Sequence, residues 1–157
     1  MRDAVTAYIA LGANLGQAAQ ALRDALRRLG ELPQTRLVRH SSLYRTAPVD
    51  SGGPDYINAV AEISTALTAP QLLAHLQGLE EQAGRERPYP NAPRTLDLDL
   101  LLFGTACIDS ARLQVPHPRM YQRAFVLVPL AEIAPALVSP AQLQAVAGQA
   151  VSPLPAG

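Results

Sequence analysis

Two periods of apolar and polar residues run along the chain, and they predict its elements. From Val5 to Leu11 the run is apolar and short, which reads as a first strand. Gly12-Ala13-Asn14-Leu15-Gly16 reads as a turn, with Asn14 placed to cap a helix. From Gln17 to Leu29 the period changes. Ala18, Leu22, Ala25, Leu26 and Leu29 recur at helical spacing, and Gly30 stands where a glycine closes a helix. Thr35–Arg45 is expected as a second strand, with Leu37, Ser41 and Leu43 on one face, and Tyr56–Thr65 as a third. Pro70 opens a second helix that carries Leu72, Leu73, Leu76 and Leu79 and closes at Gly84.

Beyond an arginine- and proline-rich loop over 85–94, Thr95–Phe103 is expected as a fourth strand, turned by Gly104-Thr105. A short strand near Ala106–Ile108 is expected to pair back with it. Arg112–Arg123 reads as irregular, and a last helix is expected near Tyr121–Ile133. The tail from Pro140, rich in Ala, Gln and Pro, is expected to be loosely ordered. The order strand, helix, strand, strand, helix, strand is that of an α+β, ferredoxin-like βαββαβ core, with an added C-terminal hairpin and helix. No internal repeat or long linker divides the chain, so residues 1–157 are expected to form one domain.

Charge narrows the function. The 13 basic and 13 acidic residues cancel, which argues against a nucleic-acid surface. All 13 basic residues are arginine, so a lysine Schiff base and a P-loop are both excluded. Phosphate, if gripped, is gripped by guanidinium forks. Cys107 is the only cysteine, so no internal disulfide forms. No stretch is apolar over a membrane-spanning length and no signal peptide is read. The expectation is a cytoplasmic monomer acting on small molecules, with no membrane or nucleic-acid partner.

The strongest chemical signal is Arg94-Thr95-Leu96-Asp97-Leu98-Asp99-Leu100. Residues two apart on a strand share a face, so Asp97 and Asp99 project together while Leu96, Leu98 and Leu100 face the core. Adjacent carboxylates stay ionised together only beside positive charge, and magnesium, which takes one or two carboxylates plus phosphates, suits them. An isolated Asp-x-Asp is more often a solvated pair beside arginines, but here other features accompany it. Six of the 13 arginines (Arg85, Arg87, Arg94, Arg112, Arg119 and Arg123) fall between positions 85 and 123. Arginines so placed can take up charge that develops on a phosphate, although a solvated loop is the plainer reading of each alone. Gln77 and Glu80 share a helix face that runs into this loop; Gln77 can donate to a phosphate, and Glu80 can orient an arginine or a metal-bound water. Surface polarity explains them equally well from spacing. His117, between Pro116 and Pro118, can reach a phosphate oxygen, whereas His40 and His75 read as structural or surface residues. Tyr56 and Asn58 share a face that offers an aromatic ring and an amide to a flat, hydrogen-bonding ligand, and Phe125 can close the other side; both aromatics also suit a core.

Together these residues form a pattern. Pro93-Arg94-Thr95-Leu96-Asp97-Leu98-Asp99-Leu100-Leu101 strongly resembles the signature of the 6-hydroxymethyl-7,8-dihydropterin pyrophosphokinase family. Tyr8–Leu15, Ser41–Thr46, Pro54–Ala59 and Val115-Pro116-His117 resemble the same family, collinearly over roughly residues 5–138. The resemblance implies transfer of the β,γ-pyrophosphoryl group of ATP to the pterin hydroxymethyl group, giving AMP and the pterin pyrophosphate in folate synthesis. It implies ATP as co-substrate and two magnesium ions held by Asp97 and Asp99. It implies Arg85 and Arg94 as catalytic loop arginines, and Gln77, Glu80, Arg87, Arg112, His117 and Arg123 as further ATP contacts, with backbone at Leu100 and Leu113 holding adenine. Tyr56 and Phe125 would sandwich the pterin and Asn58 would read its edge, with backbone at Thr46, Ala47 and Val49 completing that site.

The chain departs from the family's usual pattern at three places. Asn91-Ala92 stand before Pro93-Arg94 where many members carry tryptophan and glycine, Pro118 follows His117 where many carry an aromatic residue, and Ala47 replaces a common proline. Two rivals remain at this point: a kinase that moves only the γ-phosphoryl group and releases ADP, and a ferredoxin-like binding module with no turnover.

Overall fold

A computed structural model of the chain describes residues 3–14, 17–46, 55–85 and 96–155. The elements follow the order β1 (Val5–Asn14), α1 (Ala18–Leu29), β2 (Thr35–His40), β3 (Tyr44–Thr46), β4 (Tyr56–Thr65), α2 (Ala69–Arg85), β5 (Asp97–Phe103), β6 (Ile108–Asp109), β7 (Gln114–Val115), α3 (Ala124–Ile133), α4 (Pro140–Ala145) and β8 (Val151–Pro153). Strands β5-β1-β4-β3-β8 form one antiparallel sheet, and β2 pairs with the same β4 further along. Both β2 and β3 thus occupy the position of the second strand, and the ferredoxin-like order is met.

Alternation on the central strands divides the sheet into two faces. Ile9, Leu11, Ile57, Ala59, Ile63, Leu98 and Leu100 point to the face covered by α1 and α2. There they meet Leu22, Leu26 and Leu29 of α1 and Leu72 and Leu76 of α2. Each such side chain, removed from water, contributes about 1.5–3 kcal/mol. Val60 and Leu101 point to the opposite face, where Met120, Val126, Leu127 and Leu130 cover them. Thr68 and Gln71 start α2 with a reciprocal cap: each backbone N–H donates to the other's side chain, at 2.9 and 3.2 Å.

Several sequence expectations are corrected. β1 runs on through Gly12 to Asn14, so no turn begins at Gly12, and the residue that precedes α1 is Gln17, not Asn14. The second strand is broken at 41–43, where the buried Ser41 hydroxyl accepts the Val60 N–H at 2.9 Å and so replaces a ladder partner. Gly30 does cap the end of α1, with a right-handed φ of −70°, whereas α2 continues through Gly84 to Arg85. β6 lies at Ile108–Asp109 and pairs with β7, not with the fourth strand. The last large helix starts at Ala124, after a 3₁₀ turn over Met120–Gln122.

The tail is ordered rather than loose. Ser139 and Gln142 form a capping box that starts α4, and β8 pairs with β3, placing Val151 opposite Thr46. Among the described residues no helix is long and apolar enough to cross a membrane.

Candidate active site

The register of three neighbouring strands builds the site. Gly12, on the central β1, faces Asp97 of β5 on one side and Asn58 of β4 on the other. One row further, Ala10 stands between Asp99 and Val60. Directly opposed residues share a face, so Asp97, Asp99, Gly12 and Asn58 all line the face away from α1 and α2. On this strand Leu11 and Ala13 are buried, whereas Ala10, Gly12 and Asn14 remain partly exposed. Ala10 packs against the layer of Met120, Leu127 and Leu130, and Gly12 and Asn14 beyond it form the partly exposed floor of the candidate site.

Asp97 and Asp99 are both half-buried, and the leucines between and beside them are packed below the sheet. Because β5 is an edge strand, its outward groups need partners from outside the sheet. The Leu98 N–H donates to Glu80 Oε2 at 2.7 Å, and the Leu101 carbonyl accepts the His117 N–H at 3.0 Å. The sequence placed Glu80 on the face of α2 that runs into the loop over 85–94. The structure joins its carboxylate to the backbone between the two aspartates.

That backbone bond also brings the His117 ring toward Asp99. Burial pushes the imidazole pKa down; the Asp99 charge opposes this, while Arg123 and Arg119 reinforce it. The Arg119 N–H donates to His117 Nδ1 at 3.2 Å, so the neutral ring carries its proton on Nε2, available to an acceptor such as a phosphate oxygen. Arg123, at the start of α3, lies over the Phe125 ring at 5.4 Å from its centroid, a cation–π contact. Charge and ring interactions thus link Asp99 to His117, His117 to Arg123, and Arg123 to Phe125.

On the far border, Asn58 is buried and Nδ2 donates to Thr46 Oγ1 at 2.7 Å. The amide is thus held in one orientation by a hydroxyl that the sequence assigned only a backbone role. Tyr56, paired with Thr46 on β3, is half-buried beside it.

A groove of about 250 Å³ opens between α2 and the β6–β7 hairpin, lined among others by Leu73 and Gln77 of α2 and by Ile108, Arg112 and Leu113 of the hairpin. Gln77, Arg112 and Leu113 are thereby brought together on one groove. Leu100 sends its side chain into the core beneath. Arg87, Arg94, Ala47 and Val49 lie outside the described residues, as does the side chain of Arg85. Gly12 and the Thr46 hydroxyl were missed by sequence reasoning; only a correct β1–β4 register exposes them.

The donor set can be tested against a metal. Among the described residues no three His, Cys, Asp or Glu side chains group together, which does not fit a zinc site made by the protein alone. Two carboxylates on one open face do fit magnesium, which takes its remaining ligands from phosphates and water.

A sequence model described as 7,8-dihydro-6-hydroxymethylpterin-pyrophosphokinase (HPPK) matches residues 8–135. The 2-amino-4-hydroxy-6-hydroxymethyldihydropteridine pyrophosphokinase of Haemophilus influenzae is 47% identical over 87% of this chain and 86% of its own. The protein of the same name from Pseudomonas aeruginosa is 46% identical over 85% of this chain and 83% of its own. Among solved structures, a triple-mutant HPPK-DHPS from Plasmodium falciparum matches 86% of this chain with a TM-score of 0.69 at 15% identity. This chain spans 40% of that protein, and the likeness carries the fold alone.

Proposed function

The chain belongs to the 7,8-dihydro-6-hydroxymethylpterin-pyrophosphokinase family, and we propose from the shape of its cleft how its own residues carry out that family's reaction. The reaction is transfer of pyrophosphate from ATP to 6-hydroxymethyl-7,8-dihydropterin, giving AMP and the pterin pyrophosphate in folate synthesis. The observation that carries the residue assignment is the row Asp97–Gly12–Asn58, which sets the acid strand and the amide strand on either side of a bare floor.

In this reading the pterin lies between Tyr56 and Phe125, and Asn58 reads its edge through hydrogen bonds that Thr46 keeps in register. The hydroxymethyl arm points from Asn58 toward Asp97, roughly 10 Å away across two strand spacings. Adenine enters the groove between Leu73, Ile108 and Leu113, with Gln77 and Arg112 at the rim. The triphosphate then runs toward the floor. Asp97 and Asp99 would hold two magnesium ions, which would supply neutralising charge to the phosphates and lower the pKa of a nearby hydroxyl. His117 donates from Nε2 to a phosphate oxygen, and Arg123 supplies charge beside Phe125. By the family's pattern, Arg85, Arg87 and Arg94 are assigned to the charge of the phosphates. Backbone at Leu100, Ala47 and Val49 completes the adenine and pterin contacts.

The pterin hydroxyl attacks the β-phosphorus in line. Its O–P bond forms as the bond from the β-phosphorus to the α,β-bridging oxygen breaks, AMP leaves with that oxygen, and the hydroxyl proton is released. Positioning and charge neutralisation supply most of the rate, as is usual for phosphoryl transfer. The chain acts as a cytoplasmic monomer, folded as a single domain. Asp97→Asn and Asp99→Asn test the metal role: each should lose magnesium-dependent turnover while its thermal unfolding stays cooperative, because both side chains lie on the open face. Retained turnover in either variant would remove the carboxylate pair from the reaction.

A further inference from the structure

Gly12 has no side chain at the position that lies between Asp97 and Asn58. A Cβ there would lie 3.1 Å from Asn58 Oδ1, closer than ordinary van der Waals contact, so the amide would have to give by a few tenths of an ångström. Asn58 has little room to do so. It is 5% exposed, its Nδ2 is bound to Thr46 Oγ1 at 2.7 Å, and its backbone is paired on both sides, with Gly12 and with Tyr44. Moving the amide means stretching the Thr46 bond or tilting the edge that faces the cleft.

We propose that Gly12 is a positioning residue for the acceptor: its missing side chain lets Asn58 hold its edge-reading orientation, and it keeps the floor bare where the acceptor's hydroxymethyl arm crosses to Asp97. The proposal rests on the pterin reading given above. Backbone conformation does not explain the glycine. Among the described residues the glycine with positive φ is Gly104, not Gly12, so an alanine at 12 is sterically allowed as backbone. Glycine inside a strand is in itself unfavourable, so its presence here is accounted for by space and not by strand stability.

The two-part action predicts which substrate is affected. Gly12→Ala displaces the pterin-reading amide and crowds the arm, while the groove assigned to adenine is lined from α2 and the β6–β7 hairpin and by no residue of β1 or β4. The purified full chain is therefore titrated separately with 6-hydroxymethyl-7,8-dihydropterin and with magnesium and a non-hydrolysable ATP analogue, and both are repeated on Gly12→Ala and Thr46→Val. The expected result for Gly12→Ala is a pterin Kd raised about tenfold or more, as for other displaced hydrogen-bond partners, with the nucleotide Kd unchanged. Because both changes act on one amide, the penalties of Gly12→Ala and Thr46→Val should overlap in the double variant instead of adding.

An unchanged pterin Kd in folded Gly12→Ala overturns the proposal, as does an equal loss for both ligands or strict additivity with Thr46→Val. If Gly12→Ala fails to fold, an unchanged pterin Kd in Thr46→Val overturns it instead. A wild-type chain that binds nucleotide but no pterin overturns the pterin reading itself, and this proposal with it.

Discussion

The backbone N–H of Leu98 donates to Glu80 Oε2 at 2.7 Å, so a carboxylate from α2 backs the strand from which Asp97 and Asp99 project. The bond lies on the outer side of β5, where no neighbouring strand pairs among the described residues. Glu80 thus acts on the two aspartates through the backbone between them.

Glu80→Ala should leave that half-buried N–H without its charged acceptor, at a stability cost of about 1–2 kcal/mol. It should also lower kcat more than it raises the KM for ATP, because the aspartates lose their backing. Glu80→Gln keeps an oxygen acceptor and should recover most of both. Urea unfolding and magnesium-dependent kinetics on the three proteins check this; an alanine variant as stable and active as wild type would remove Glu80 from the support of β5.

Glu132, near the end of α3, accepts hydrogen bonds from the Ser42 N–H, the Ser42 hydroxyl and the Tyr44 hydroxyl, the last at 2.5 Å. Burial pushes its pKa up, but the bonds from Tyr44 and Ser42 outweigh this and the net shift is downward from 4.5. Burial and the Glu132 bond raise Tyr44 to about 12, and burial and Glu62 do the same for Tyr8. The carboxylate contribution is therefore present above pH 4.5 and is lost as pH falls through the lower folded value. The tyrosine contributions are present below pH 10 and are lost as pH rises toward about 12. Because Glu132 is exposed, solvent screens its contribution and the acid limb is shallow. Thermal unfolding across pH should show a plateau between these limits. Glu132→Gln should flatten the acid limb and Tyr44→Phe part of the alkaline one; unchanged limbs would contradict the assignment.

The C-terminal segment braces both borders of the cleft. Gln149 accepts the Ala124 N–H and donates to the Gln122 carbonyl, each at 2.9 Å, and so ties down the backbone that carries Arg123 and Phe125. Gln149→Ala should lower stability by about 1 kcal/mol, as for loss of a helix cap. Truncation before Val151 removes the strand beside Thr46 and should weaken pterin binding. Calorimetry and pterin titration check both, and unchanged values would show the tail to be dispensable.

What the sequence made legible was local. Asp97 and Asp99 follow from a period of two, the faces of α1 from Leu22, Leu26 and Leu29, and the side of α2 that bears Gln77 and Glu80 from spacing alone. What it hid was pairing. Nothing near Gly12 states that Asn58 and Asp97 flank it, because the β1–β4 and β1–β5 registers join residues far apart in sequence. The β6–β7 pairing was hidden for the same reason. The order of the tail had a local signal, Ser139 three residues before Gln142, but the surrounding Ala, Gln and Pro obscured it. The break between β2 and β3 was hidden because a side chain, the Ser41 hydroxyl, replaces a backbone partner.

The most direct test is the nucleotide product. The full chain is incubated with magnesium, ATP and 6-hydroxymethyl-7,8-dihydropterin, and AMP is separated from ADP. Pterin-dependent AMP, formed in equal amount to the pterin pyrophosphate, is the expected result. Release of ADP, or of no nucleotide by folded protein, would contradict pyrophosphoryl transfer at this site.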